Sequence, residues 1–124
     1  MHPMKSTYLF SKNDGYITLA MSGEYHKDDF MTYPDLILAK CEKEHIGKVL
    51  VDGSNLSGTN VPVMDRYFIA ENLANLLRFK VKVAVVWPKE HITRFAENVA
   101  VNRGSSMIVV DSMEAAHKWL TQDV

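Results

Sequence analysis

The chain has 124 residues, 47% of them hydrophobic and 23% charged, which suffices for one core and predicts a single domain over residues 1–124. Fourteen basic residues against 15 acidic ones leave a net charge of −1, which excludes a general pull toward nucleic acid or an anionic membrane. The lone cysteine, Cys41, cannot form an internal disulfide, and the apolar runs are too short to span a bilayer. Residues 1–5 show no signal-peptide apolar stretch, so the expected location is the cytoplasm.

Residues 6–11 (STYLFS) and 16–21 read as two strands. Asn13-Asp14-Gly15 between them is a tight-turn signal that predicts an antiparallel hairpin, and Ile17, Leu19 and Met21 share one strand face. A helix is expected over 27–45. Asp28 and Asp29 suit the positive end of its dipole, and Phe30, Tyr33, Ile37 and Cys41 recur at helical spacing. Pro34 falls inside this segment and Gly47 would end it. A short apolar strand follows at 48–52 (KVLVD), then a loop at 53–60 (GSNLSGTN).

The second helix is predicted over 61–78, with Pro62 in its first turn and Ile69, Leu73, Leu76 and Leu77 buried. Met64, Tyr67, Phe68 and Ile69 crowd its start, more apolar surface than one core face needs. Either the helix is covered on two sides or part of it stands exposed for a partner or an apolar ligand. A strand at 81–87 (VKVAVVW) stops at Pro88. A third helix is expected over 89–103, with Ile92, Phe95, Ala96 and Val99 inward and Gly104 as its stop. The last strand is 107–110 (MIVV). Asp111 and Glu114 are spaced as an N-cap and a first-turn acid for a final helix that turns Met113, Ala116 and Leu120 inward. Apolar strands alternating with helices predict an α/β fold. The expected sheet is mixed and five-stranded, an N-terminal hairpin plus three parallel strands, with four helices.

Parallel strands would bring three turns to one sheet edge, where ligands of open α/β sheets bind: Asp52 to Asn55, Trp87 to Lys89, and Asp111-Ser112. Asp52, Ser54, Ser57, Thr59, Asp65, Tyr67 and Trp87 are the candidate ligand- or partner-binding residues. GSNLSG lacks the Gly-Lys-Ser/Thr ending of a phosphate-binding loop. His91, Arg94, Asn98, Asn102 and Arg103 form a polar row expected to be a solvated face. His2, His26, His45, His91 and His117 include no pair at metal-ligand spacing, and Cys41 is expected to be a buried, inert thiol. No catalytic signature is visible, so neither catalytic residues nor metal ligands nor a cofactor are assigned.

The blocks VLVDGSNLSGT, MDRYFIAENLA, VKVAVVWP, FAENVAVNRG and VVDSMEAAHKWL, spread over residues 48–120, resemble the SpoIIAA-like family of STAS/SEC14-type domains. The resemblance implies a SpoIIAA-like β/α superhelical sandwich of bacterial origin. It further implies a non-enzymatic regulatory or protein-interaction module, with a homodimer compatible. The alternative is a carrier or sensor of a small apolar or lipid-like ligand held between the second and third helices. Anti-anti-sigma factors of this fold carry a DSSG-like motif whose serine is phosphorylated by a partner kinase. The corresponding stretch, residues 61–66 (VPVMDR), has no serine or threonine, and Ser57 and Thr59 lie upstream of it.

Overall fold

The computed structural model describes residues 6–13, 15–77, 80–102, 104 and 106–122. Its elements are β1 (Thr7–Asn13), β2 (Tyr16–Glu24), α1 (Lys27–Glu44), β3 (Lys48–Ser57), α2 (Val63–Leu77), β4 (Lys82–Val86), a single 3-10 turn (Lys89–His91), α3 (Phe95–Asn102), β5 (Ser106–Val110) and α4 (Met113–Thr121). The sheet order is β1-β2-β3-β4-β5. β1 and β2 form the expected hairpin, with Asn13 opposite Tyr16 and Gly15 at φ +81°, a conformation that glycine adopts without penalty. Asp14, the middle residue of that turn signal, lies outside the described residues. β2 runs parallel to β3, β3 to β4 and β4 to β5, so the second hairpin strand joins the three predicted parallel ones.

Each of α1, α2 and α3 connects a strand to its immediate neighbour. Crossovers of one hand between successive neighbours carry their helices to one face. Strand side chains alternate between the two faces. Ile17, Leu19, Met21, Val49, Val51, Val83, Met107 and Val109 meet residues of α1 and α2, including Tyr33, Ile37, Ala70, Leu73 and Leu77. The other face carries Tyr16, Leu50, Ala84 and Val86 against Ala116 and Leu120 of α4. α4 follows the last strand and bridges no pair, so it is free to cover the face the crossovers leave bare.

Several local expectations need correction. The strand predicted at 48–52 continues to Ser57, because β2 continues to Glu24 beside it and the pairs Ser22–Asn55, Gly23–Leu56 and Glu24–Ser57 form past a bulge near Met21. The loop is therefore 58–62, not 53–60. α2 starts at Val63, where the Pro62 carbonyl accepts the Arg66 N–H at 3.0 Å, and its buried residues are Ala70, Leu73, Ala74 and Leu77, with Ile69 and Leu76 half-buried. The predicted end at Arg78 lies outside the described residues.

The third helix is split. A 3-10 turn at Lys89–His91 and an irregular stretch precede α3 at Phe95. Of its predicted inward residues, Ile92 and Val99 pack on the core, and the side chains of Phe95 and Ala96, like the whole of Arg103, lie outside the described residues. α1 ends at His45 as expected, but the residue that stops it is His45 itself and not Gly47: it takes the left-handed conformation (φ 57°) while the Ile46 N–H bonds the Cys41 carbonyl. α4 is capped by Ser112, not Asp111: the Ser112 hydroxyl accepts from the Ala115 N–H at 3.1 Å. Met113 is exposed while Ala116 and Leu120 are buried.

Candidate functional site

Asp52 stands level with the ends of the central strands, paired with Val86. Its carboxylate accepts the Ser54 backbone N–H at 3.0 Å and the Ser54 hydroxyl at 2.6 Å. Acid and serine satisfy one another locally, on the exposed part of β3. Gly53 between them backs onto the Trp87 ring: a Cβ at Gly53 would fall 2.6 Å from two ring carbons. This close approach explains the GS step better than a ligand turn does. The Ser57 hydroxyl donates to the Gly23 carbonyl at 3.3 Å and is exposed. The Tyr67 hydroxyl donates to Glu71 one turn along α2.

Thr59, Asp65 and Trp87 lie together. Thr59 is buried, its hydroxyl 2.7 Å from His91 Nδ1 and its carbonyl accepting the Trp87 indole N–H at 3.1 Å. The loop before α2 is thereby tied to the segment after β4. Asp65 accepts the Tyr25 hydroxyl at 3.0 Å, a contact that ties α2 to the end of β2. Burial, reinforced by this bond to Asp65, pushes the Tyr25 hydroxyl well above the ordinary tyrosine range.

Beneath these contacts lies an apolar cavity of about 120 Å³. Its floor is the sheet (Met21, Val51, Val85, Val109), and its walls are α1 (Phe30, Tyr33, Ile37) and α2 (Ile69, Ala70, Leu73). Val61, Arg66, Trp87, His91 and Ile92 close one end. Phe30 organises the aromatic side, with ring centroids 4.9 Å from Tyr25, 5.2 Å from Tyr33 and 5.8 Å from Trp87. Arg66 is half-buried and held in place: Nε donates to the Val61 carbonyl at 2.8 Å, and Nη1 to the His91 carbonyl at 3.1 Å and the Thr93 hydroxyl at 3.2 Å. Of these residues the sequence picked out Trp87 as a site residue, Phe30 as core and His91 as surface. Tyr25 and Arg66 carried no signal, because their roles depend on contacts between elements distant in the chain.

A second surface is exposed and apolar. Val63 and Met64 are each 57% accessible and Phe68 40%, all near the start of α2, with the Lys27 ammonium 5.2 Å from the Phe68 ring centroid. The crowded start of α2 is thus partly uncovered. The polar row near α3 is more than a solvated face. Arg94 donates to Glu97 (2.8 Å) and to the Val109 carbonyl (2.9 Å), while Glu97 accepts the Val109 N–H at 3.0 Å. Together they occupy backbone groups that β5, an edge strand, would leave open. Cys41 is buried, and burial pushes its thiol up, away from the thiolate a nucleophile needs. Among the described residues no cluster of three or more His, Cys, Asp or Glu is placed to hold a metal, and no helix is long and apolar enough to cross a membrane.

Neither a scan against protein-family models nor a sequence search of curated proteins finds a match. Among solved structures, the chain is similar to an anti-sigma factor antagonist from Mycobacterium paratuberculosis, with a TM-score of 0.66 at 13% identity over 94% of this chain and 95% of that one. The fold is SpoIIAA-like. At that identity the likeness concerns backbone architecture: four parallel strands with a hairpin edge, three helices on one face and one on the other. Within this SpoIIAA-like frame the described side chains put an apolar cavity behind α2 and an apolar patch in front of it.

Proposed function

We propose that the chain is a non-enzymatic regulatory module of the SpoIIAA-like type, acting in a bacterial cytoplasm by docking a protein partner on the exposed start of α2. The carrying observation is the accessible trio Val63, Met64 and Phe68 on a fold shared with an anti-sigma factor antagonist. Docking here is constitutive rather than phosphate-switched. Residues 61–66 offer no hydroxyl, Thr59 is buried against His91, and Asp65 already places a negative charge in the first turn of α2. The test is affinity capture from the native cell with wild type, Met64→Glu/Phe68→Glu, and Leu9→Glu as a control on the exposed face of β1. Loss of one partner protein in the α2 variant alone supports the reading. Equal capture by all three, or stoichiometric phosphate on Ser57 or Thr59 with loss of that partner, overturns it.

The cavity favours a second reading, a sensor or carrier of a small apolar ligand. Its volume is close to that of an engineered cavity of about 150 Å³ that admits benzene. It suits a single ring or a short branched chain better than a long acyl chain. Native mass spectrometry of freshly purified protein tests it: a co-purifying small molecule supports the sensor, and an empty protein that takes up neither ethylbenzene nor indole overturns it.

A further inference from the structure

We infer that the cavity between the sheet, α1 and α2 binds a compact apolar carboxylate, its ring or branched chain in the cavity and its anionic head on Arg66. The inference rests on the apolar-ligand reading and adds the charge of the ligand to it. Three observations carry it. The cavity walls are hydrocarbon and aromatic, so the body of the ligand must be apolar and about the size of one ring. Arg66, at one end, is held by the Val61 and His91 carbonyls and the Thr93 hydroxyl. None of these partners carries a charge, and Arg66 makes no ion pair among the described residues.

A guanidinium drawn partly out of water and bonded only to neutral oxygens retains its full attraction for an anion. Its Nη2 makes no hydrogen bond among the described residues, which leaves that nitrogen's N–H donors for a carboxylate oxygen. Asp65, the neighbouring carboxylate, accepts the Tyr25 hydroxyl and does not itself line the cavity. The arginine's fixed position also means that little side-chain freedom is lost when an anion arrives.

The test is an NMR titration of the full chain with three probes: phenylacetate, the neutral isostere phenylacetamide, and ethylbenzene. Phenylacetate is expected to shift the amides of Val61, Arg66 and Ile92 and to bind about tenfold tighter than phenylacetamide, the factor one charge-assisted hydrogen bond supplies. Arg66→Gln, checked for folding by circular dichroism, is expected to erase that preference while ethylbenzene still binds. Because Arg66 also holds the loop, a second variant leaves it in place: Ala70→Met puts its added atoms in the cavity and should abolish binding of all three probes. Equal affinity for phenylacetate and phenylacetamide overturns the inference but leaves the apolar-ligand reading standing. Failure of all three probes to bind wild type overturns both, and unchanged phenylacetate affinity in Ala70→Met overturns the location.

Discussion

The two faces of the sheet are built from the same strands but packed differently. On the α4 face, Tyr16, Leu50, Ala84 and Val86 meet one short helix whose buried residues are Ala116 and Leu120. The helix is tethered by two lysines from the strands: Lys48 Nζ donates to the Leu120 carbonyl at 2.9 Å, and Lys82 Nζ to the Trp119 carbonyl at 3.1 Å. On the opposite face three helices share a larger surface with large aromatic rings, and a cavity is left where α1, α2 and the segment after β4 meet. The α4 face meets a single helix, and apart from Tyr16 and Trp119 its contacts are aliphatic. On the other face, helices from three directions and the rings of Tyr25, Phe30, Tyr33 and Trp87 meet around the cavity. The face with three helices holds the larger core and also the gap that has room for a ligand.

The largest expected effect comes from truncating each face in turn. Leu120→Ala removes a fully buried side chain under α4 and should cost about 3 kcal/mol, read from urea unfolding. Ile69→Ala, half-buried beside an existing cavity, should cost less than about half of that, since less contact is lost. Equal losses would break the contrast between the faces. Gly53→Ala tests the seam between them. Its methyl group would collide with the Trp87 ring, so a loss of about 2 kcal/mol is expected, together with a change in tryptophan fluorescence as the ring moves.

Tyr25→Phe removes the bond that ties α2 to the end of β2 and should cost about 1 kcal/mol without altering the α4 face, visible as amide shifts confined to α2 and the end of β2. The smallest effect concerns pH. Burial raises the hydroxyls of both Tyr25 and Tyr33, so the native state keeps protons that the unfolded chain releases near the ordinary tyrosine value of 10.0. Their contribution is complete below that value and is lost as pH rises, because the unfolded state then binds fewer protons than the native one. Stability should therefore begin to fall as pH passes about 10 and keep falling above it, less steeply in Tyr25→Phe. A flat profile in wild type would remove burial of these rings as a distinguishing feature of the cavity face.

Much of the architecture was legible from local pattern. The apolar strands, the helical stripe of Phe30, Tyr33, Ile37 and Cys41, and the Asn13–Gly15 turn signal follow from periodicity and backbone preference, which act over a few residues. Element ends were less legible. β3 runs to Ser57 because β2 lies beside it, and GSNLS shows no strand signal by itself. The single long helix expected after β4 is broken because Arg66 and Thr59 bond to His91, contacts between residues 25 and 32 positions apart.

The candidate site divides in the same way. Asp52, Ser54, Ser57 and Tyr67 drew notice as polar or aromatic residues near a strand end or helix start; Asp52 and Ser54 bond each other, Tyr67 bonds Glu71 one turn on, and Ser57 bonds the adjacent strand at Gly23, away from the cavity lining. Thr59, Asp65 and Trp87 were named for the same weak reason, yet they are the ones that bind distant elements around the cavity. By itself the sequence determined where most strands and helices lie, which strand positions are apolar, and that residues 61–66 hold no hydroxyl to phosphorylate. Only the tertiary structure decided that Arg66 meets three neutral oxygens and, among the described residues, no carboxylate, and that the rings of Tyr25, Phe30, Tyr33 and Trp87 converge without filling the space between them. The first set depends on residue chemistry and short-range geometry. The second depends on where crossovers set down residues far apart in the chain, which no local pattern encodes.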